Sequence, residues 1–192
     1  MTLMSGLLPQ WVTCDGGPLL LLAKENLPAW EGSARPSQGR KMEAEFRWRS
    51  DGPATDYDRA CDVEDYIALI DVGAGKGMVL GGEELDATWV PLFDGGLLVR
   101  WVYGESDEES LTAIDRIPKD FFEDSDLSFS VGESPLVLFA ACESGSDQIY
   151  PRIEFQIAPG CYQILTSRYE EIDRISLICH RLKLNPVDDG RS

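Results

Sequence analysis

Ala87-Thr88-Trp89-Val90-Pro91-Leu92-Phe93-Asp94-Gly95-Gly96-Leu97-Leu98-Val99-Arg100-Trp101-Val102-Tyr103 is the stretch whose reading decides the fold. Two apolar runs, Ala87 to Phe93 and Leu97 to Tyr103, flank Asp94-Gly95-Gly96. β-Branched and aromatic residues suit extended backbone, and an Asp-Gly pair supplies the positive φ of a tight hairpin turn. The stretch therefore predicts two antiparallel strands.

The same style continues on both sides. Upstream, Tyr66 to Val72 and Lys76 to Leu80 flank a glycine turn and predict a second hairpin. Pro18 to Ala23 is a continuous apolar run and predicts a buried strand. Met42 to Arg49 alternates, with Met42, Ala44, Phe46 and Trp48 on one side and charged residues on the other, which predicts a half-buried strand. Downstream, Leu127 to Val131, Pro135 to Cys142, Arg152 to Ile157, Cys161 to Arg168 and Arg174 to Leu182 predict strands, with a further hairpin turn at Pro159-Gly160. Only two short stretches predict helix. Tyr57 to Asp65 follows Thr55-Asp56, which suits a cap, and Ser106 to Glu123 starts acidic but is broken by Pro118. Gly32 to Arg40, rich in Ser, Gly, Arg and Gln, predicts a mobile loop, and Val187 to Ser192 a frayed tail. The fold class is mainly β (β-rich α+β): antiparallel sheets with a few short helices.

The 192 residues suit one domain, 1–192, or two β-rich halves of about 1–104 and 125–186 joined by an acidic connector, 105–124. Ser134 to Leu138 resembles Gly17 to Leu21, Arg152 to Leu165 resembles Ile67 to Leu80, and Ser176 to Leu182 matches Leu97 to Tyr103. These matches set two similar β lobes beside the single-domain reading.

Charge narrows the function. There are 34 acidic residues against 17 basic ones, a formal charge of −17. Solubility needs a magnitude of only roughly 2–8. Such a field attracts cationic surfaces and repels nucleic acid and anionic membranes. The chain has a single histidine, His180, so the commonest general base and metal ligand is nearly absent. The five cysteines, Cys14, Cys61, Cys142, Cys161 and Cys179, are odd in number and widely spaced, which predicts reduced, mostly buried thiols rather than disulfides or a zinc site. Met1 to Gln10 has no Lys or Arg, no signal peptide is read there, and no apolar run reaches the roughly 20 residues of a membrane span. A cytoplasmic protein is expected.

Few motifs suggest chemistry. Leu69-Ile70-Asp71-Val72-Gly73-Ala74-Gly75-Lys76-Gly77 resembles the first motif of S-adenosylmethionine-dependent methyltransferases, which requires a helix after the glycines. Here Met78-Val79-Leu80-Gly81-Gly82 follows, so a hairpin turn is the better reading and the methyltransferase the alternative. Asp56, Asp58 and Asp62 cluster without EF-hand spacing and predict a capping and surface role. The many carboxylates offer candidate pairs for glycoside hydrolysis, but no G-x-S-x-G, H-E-x-x-H or P-loop occurs. Cys179 and His180 are strand neighbours and point to opposite faces, so they form no catalytic pair, and His180 is expected as a structural residue near a strand end. No cofactor and no metal are expected.

The acidic field is the stronger lead. From Glu105 to Asp126 there are nine acids and two bases, with Phe121 and Phe122 among them. Carboxylates around aromatic anchors suit a protein interface. The candidate contacts are Glu105, Asp107, Glu108, Glu109, Phe121, Phe122, Glu123 and Asp124. The competing reading is a solvated connector that docks its phenylalanines into the core. Of the tryptophans, Trp30 lies in a loop and is expected to be the more exposed.

Several segments, taken in order, resemble the immunity protein 21 family. They are Trp11-Val12 followed by Asp15-Gly16-Gly17-Pro18 and the leucine run, then Leu27-Pro28-Ala29-Trp30-Glu31-Gly32, Asp56-Tyr57-Asp58-Arg59-Ala60-Cys61, Val79-Leu80-Gly81, and Gly95-Gly96 with Arg100-Trp101. The resemblance covers roughly residues 11–104 well and the rest loosely. It implies a non-enzymatic bacterial antitoxin, encoded beside a polymorphic toxin, that blocks the toxin's active site or substrate groove. It also implies a cognate toxin domain as partner, basic where that toxin is a nuclease. A regulatory or scaffold β-domain with another basic protein partner is the third alternative.

Overall fold

The computed structural model describes residues 10–13, 16–118, 121–122, 126–147 and 149–185. Its ten strands are β1 (Leu19–Ala23), β2 (Ala68–Val72), β3 (Gly75–Leu80), β4 (Ala87–Leu92), β5 (Gly95–Tyr103), β6 (Ser128–Val131), β7 (Leu136–Ala140), β8 (Ile153–Phe155), β9 (Gly160–Glu171) and β10 (Ile175–Leu184). The helices are α1 (Asp56–Cys61) and α2 (Asp107–Arg116), with 3-10 turns at Lys24–Ala29 and Ser37–Gly39. The strands form two five-stranded antiparallel sheets, ordered β2-β3-β1-β7-β8 and β4-β5-β10-β9-β6. Each sheet takes strands from both sides of residues 105–124, so neither belongs to one half of the chain.

The leucine run shows how the layers stack. β1 is central and buried on both faces, which is why it reads as continuous leucine rather than as an alternation. Leu19 and Leu21 join Met78, Leu136 and Leu138 from their own sheet, and Leu98, Tyr162 and Leu182 from the other, in the core between the sheets. Leu20 and Leu22 face outward, against Trp30, Tyr57 and Ala60. On the far side Val99, Leu177 and Cys179 lie beneath Ala113 and Ile114 of α2. The result is a sandwich with a helical layer on each outer face.

Two of the three expected hairpins form, β2–β3 and β4–β5. In the opening stretch the turn residues are Phe93 and Asp94, while Gly95 and Gly96 already belong to β5. Any side chain at Gly96 would overlap the indole of Trp89, so glycine is required for that close approach.

Other expectations are corrected. Met42 to Arg49 forms no strand: Met42 makes an isolated bridge with Ala54, and the backbone N–H groups of Glu45 and Phe46 donate to Asp62 and that of Trp48 to Asp58. With side-chain carboxylates taking those donors, Phe46 and Trp48 stay 48% and 52% exposed. Pro159-Gly160 is no hairpin turn, because β8 pairs with β7 in one sheet and β9 with β6 and β10 in the other. The segment crosses between the sheets, with the Tyr162 hydroxyl donating to the Ala158 carbonyl at 2.7 Å. Gly32 to Arg40 is tied down rather than loose: the Ser33 N–H donates to the Cys142 carbonyl, and Ser37 is buried. Trp30 is fully buried, its indole N–H donating to the Ala141 carbonyl at 3.0 Å. Of the described cysteines only Cys179 is buried; Cys61 and Cys142 are half-buried and Cys161 is exposed. Cys14 lies outside the described residues.

Candidate functional site

Three aspartates organise the region around α1. Thr55 caps the helix in a reciprocal box: its hydroxyl accepts from the Asp58 N–H at 3.1 Å, and the Asp58 carboxylate accepts from the Thr55 N–H at 2.6 Å. Asp56, fully buried, accepts from the backbone of Glu31 and Ser37 at 2.9 and 3.0 Å and from the Ser37 hydroxyl at 2.5 Å. Asp56 and Asp58 are thus interior acceptors rather than surface charges, and exposed Asp62 holds the chain at Phe46. A buried carboxylate is tolerated when N–H and O–H donors replace its water, as they do here. Arg59 donates to the Asp71 carbonyl at 2.6 Å, a backbone partner rather than a carboxylate, and burial holds its pKa below the usual value.

The other positions of the family resemblance are also placed by packing. Gly17 leaves room for the Tyr57 ring, and Pro18 beside it is buried. Trp11 and Trp101 pack together at 5.4 Å. Arg100 is buried and donates to the backbone carbonyls of Tyr66, at 3.2 Å, and Glu83. It thereby links the approach to β2 with the β3–β4 connection.

The glycine segment from Asp71 to Gly77 is the β2–β3 hairpin, with Val72 opposite Gly75 and Gly73 at a φ of 58°. Strand follows it where a methyltransferase needs a helix. His180 lies inside β10 rather than near a strand end, fully buried between β5 and β9, with Nδ1 2.9 Å from the Thr166 hydroxyl. Burial first, and Arg100 second, push its pKa down to about 3, so the ring is neutral at physiological pH. Cys179 points to the opposite face, beneath α2, and burial pushes its thiol up to about 12. Among the described residues no group of three His, Cys, Asp or Glu side chains is arranged to hold a metal ion.

The acidic candidates divide by burial. Ser106 caps α2 and accepts from the Glu109 N–H at 3.2 Å, and Asp107, Glu108 and Glu109 fill the first turn, where carboxylates suit the helix dipole. Glu109 is held by Arg174 at 2.8 Å and accepts from the Glu105 N–H at 3.2 Å. Glu105 and Glu108 are exposed, and Asp107 is half-exposed. Phe121 and Phe122 are half-buried beneath the same sheet, Phe121 edge-on to Tyr169 at 5.7 Å and Phe122 facing Arg181. Both rings pack against the apolar cluster that includes Ala113 and Ile114 of α2. Glu123 and Asp124 lie outside the described residues.

A second acidic feature is assembled only by the fold. A cavity of about 420 Å³ opens between α1 and the β3–β4 connection, walled by Pro18, Phe46, Tyr57 and Cys61 and rimmed by Glu64, Glu83 and Glu84. A neighbouring hollow of about 400 Å³ shares Glu84 and runs past Asp86 and Tyr103 to Gly104, one residue before Glu105. The two hollows and the start of α2 therefore lie along one acidic band. The only hint in the sequence is the pair of acidic clusters Glu64-Asp65 and Glu83-Glu84, 19 residues apart.

By its family the chain is of the immunity-protein class. The chain belongs to the family described as Immunity protein 21, whose family model matches residues 10–174. No curated protein and no solved structure matches it.

Proposed function

We propose that this chain is an antitoxin that binds one cognate toxin domain and blocks it by covering its active site or substrate groove. Membership of the Immunity protein 21 family carries the reading. The charge of −17 supports a basic target, and a nuclease, whose groove is built to hold phosphates, fits best. In this reading the antitoxin contributes no chemistry of its own and acts in the cytoplasm. The contact candidates are Glu105, Asp107, Glu108 and Glu109 around the start of α2, together with Phe121, Phe122, Glu123 and Asp124 later in the same acidic stretch of sequence.

The test is stopped-flow association with the toxin domain encoded by the adjacent gene. Electrostatic steering raises association rates by roughly 10–10³-fold and fades with salt. Glu105→Lys with Glu108→Lys should slow association about tenfold at low salt and flatten its salt dependence. Unchanged rates and an unchanged salt slope would remove the start of α2 from the interface, and absence of binding by the unmodified protein would overturn the antitoxin reading.

A further inference from the structure

The cavity beside α1 has a composition that selects its occupant. Its wall is apolar and aromatic, while no lysine or arginine is among its lining residues. Three glutamates stand on the rim. Glu83 is already engaged, by Arg168 at 3.3 Å and the Tyr66 hydroxyl at 3.4 Å. Glu64 and Glu84 are exposed and take part in none of the ion pairs among the described residues. Glu84 reaches the cavity wall with its field: burial pushes the Cys61 thiol up to about 11, and the Glu84 carboxylate adds to the rise.

The rim is also pre-formed. Arg100 clamps the carbonyls of Tyr66 and Glu83 from beneath, the Gly81 N–H donates to the Tyr66 carbonyl at 3.2 Å, and Asp62 fixes the backbone at Phe46. Docking on such a surface costs little ordering entropy. An apolar occupant would take Glu64 and Glu84 out of water without compensation, which disfavours binding strongly. An occupant with a cationic head and an aliphatic stem satisfies both the carboxylates and the aromatic wall.

We propose that this cavity receives an arginine or lysine side chain of the cognate toxin, its stem against Phe46 and Tyr57 and its charge between Glu64 and Glu84. The proposal rests on the antitoxin reading and deepens it by adding an anchoring point at the far end of the acidic band from α2.

The experiment is calorimetric titration of the adjacent-gene toxin domain into the full chain. It is run on the unmodified protein, on Glu64→Gln/Glu84→Gln and on Glu64→Lys/Glu84→Lys. A control, Asp126→Lys/Glu133→Lys, makes the same net-charge change as the lysine pair at two exposed acids that do not line the cavity. Both carboxylates substituted are exposed, and circular dichroism with thermal melting checks each fold. The glutamine pair should weaken binding at least tenfold and the lysine pair further, with the control within about threefold. In a second arm, N-acetyl-arginine methylamide at millimolar concentration should compete with the toxin for the unmodified protein, and the citrulline analogue should not. Binding of the toxin by both cavity variants within twofold of the unmodified protein would overturn the cavity assignment while leaving the antitoxin reading intact. No binding by the unmodified protein would overturn both.

Discussion

The single histidine gives the sharpest test of the sandwich interior. His180 is fully buried and its pKa is lowered from 6.5 to about 3. The folded state therefore favours the neutral ring, whereas the unfolded chain takes up a proton below about 6.5. Stability from this group is complete above that value and is lost as pH falls toward the folded value, by about 1.4 kcal/mol per pH unit. Between pH 7.0 and pH 5.0 the loss is about 2 kcal/mol. The figure hardly depends on the folded pKa, since any value below about 4 leaves the ring neutral at pH 5. Going lower would bring the protein to its isoelectric point near 4.3, where it tends to precipitate. Carboxylates titrate across the same range, so the readout is the difference in urea-unfolding free energy between the unmodified protein and His180→Gln, measured at both pH values. That difference should shift by about 2 kcal/mol in favour of the variant at pH 5.0. Proton NMR gives an independent check, because the chain has only one imidazole Cε1–H signal. That signal should stay still from pH 8 to pH 5 in the folded protein and titrate near 6.5 in urea. A folded midpoint within a unit of 6.5, or a pH-independent difference in stability, would refute the reasoning.

The motif residues give further expectations. Asp56→Ala leaves the donors of Glu31 and Ser37 buried without their acceptor, and should cost about 3 kcal/mol in urea unfolding. A loss under about 0.5 kcal/mol would mean that water replaces the carboxylate. Thr55→Ala removes one side of the α1 capping box, for about 1 kcal/mol by the same assay. Trp30→Phe keeps an aromatic ring, though a smaller one, but abandons the Ala141 carbonyl, and should cost about 2 kcal/mol, with faster hydrogen exchange at the end of β7. Gly96→Ala pushes against the Trp89 indole and should lower the melting temperature and alter tryptophan fluorescence together.

The strands were legible where the chain carries its own punctuation. Asp94-Gly95 and Gly73-Ala74-Gly75 announce reversals locally, and β1, β5 and β7 are largely apolar runs that no exposed loop would carry. The failures share a cause. Met42 to Arg49 has the period of a strand, but periodicity says nothing about who takes the backbone donors, and carboxylates of Asp58 and Asp62 take them. Trp30 sits in a loop by composition and is buried because a carbonyl 111 residues away accepts its N–H. The cavity was invisible for a related reason. Its wall and rim come from residues 16 to 84, brought together by α1 and the β2–β3 hairpin, and no window of sequence contains them. The internally similar segments fall differently on the two sheets. Leu21 stands directly opposite Leu138, the residue it was matched with, and β5 pairs with β10. The match of residues 67–80 with 152–165, however, sets one hairpin against strands of two different sheets.

The buried charges explain how one chain can be both strongly acidic and well ordered. The carboxylates of Asp56 and Asp58 face inward onto N–H groups, and Arg100 faces inward onto carbonyls, so these ions act as cross-links between backbone segments. Such links hold residues 31–48, α1 and the β3–β4 connection in one arrangement without a large apolar layer above them. They leave the outward carboxylates, Glu64 and Glu84 at the cavity and Glu105 and Glu108 at α2, on a rigid backing. Rigidity matters most for charges, because each carboxylate loses hydration when a partner docks and regains the loss only if the opposing cation is correctly placed. The two ends of the band should then differ in kinetics. Glu105 and Glu108, exposed at the surface, act on the rate of encounter and are screened by salt. Glu64 and Glu84, closed over by the partner, act on the rate of release, so the glutamine pair should lengthen no association time but shorten the lifetime of the complex by about tenfold. Stopped-flow association and dissociation on the same two variants separate the roles, and an equal effect of both on association would show that the cavity is only another part of the steering field.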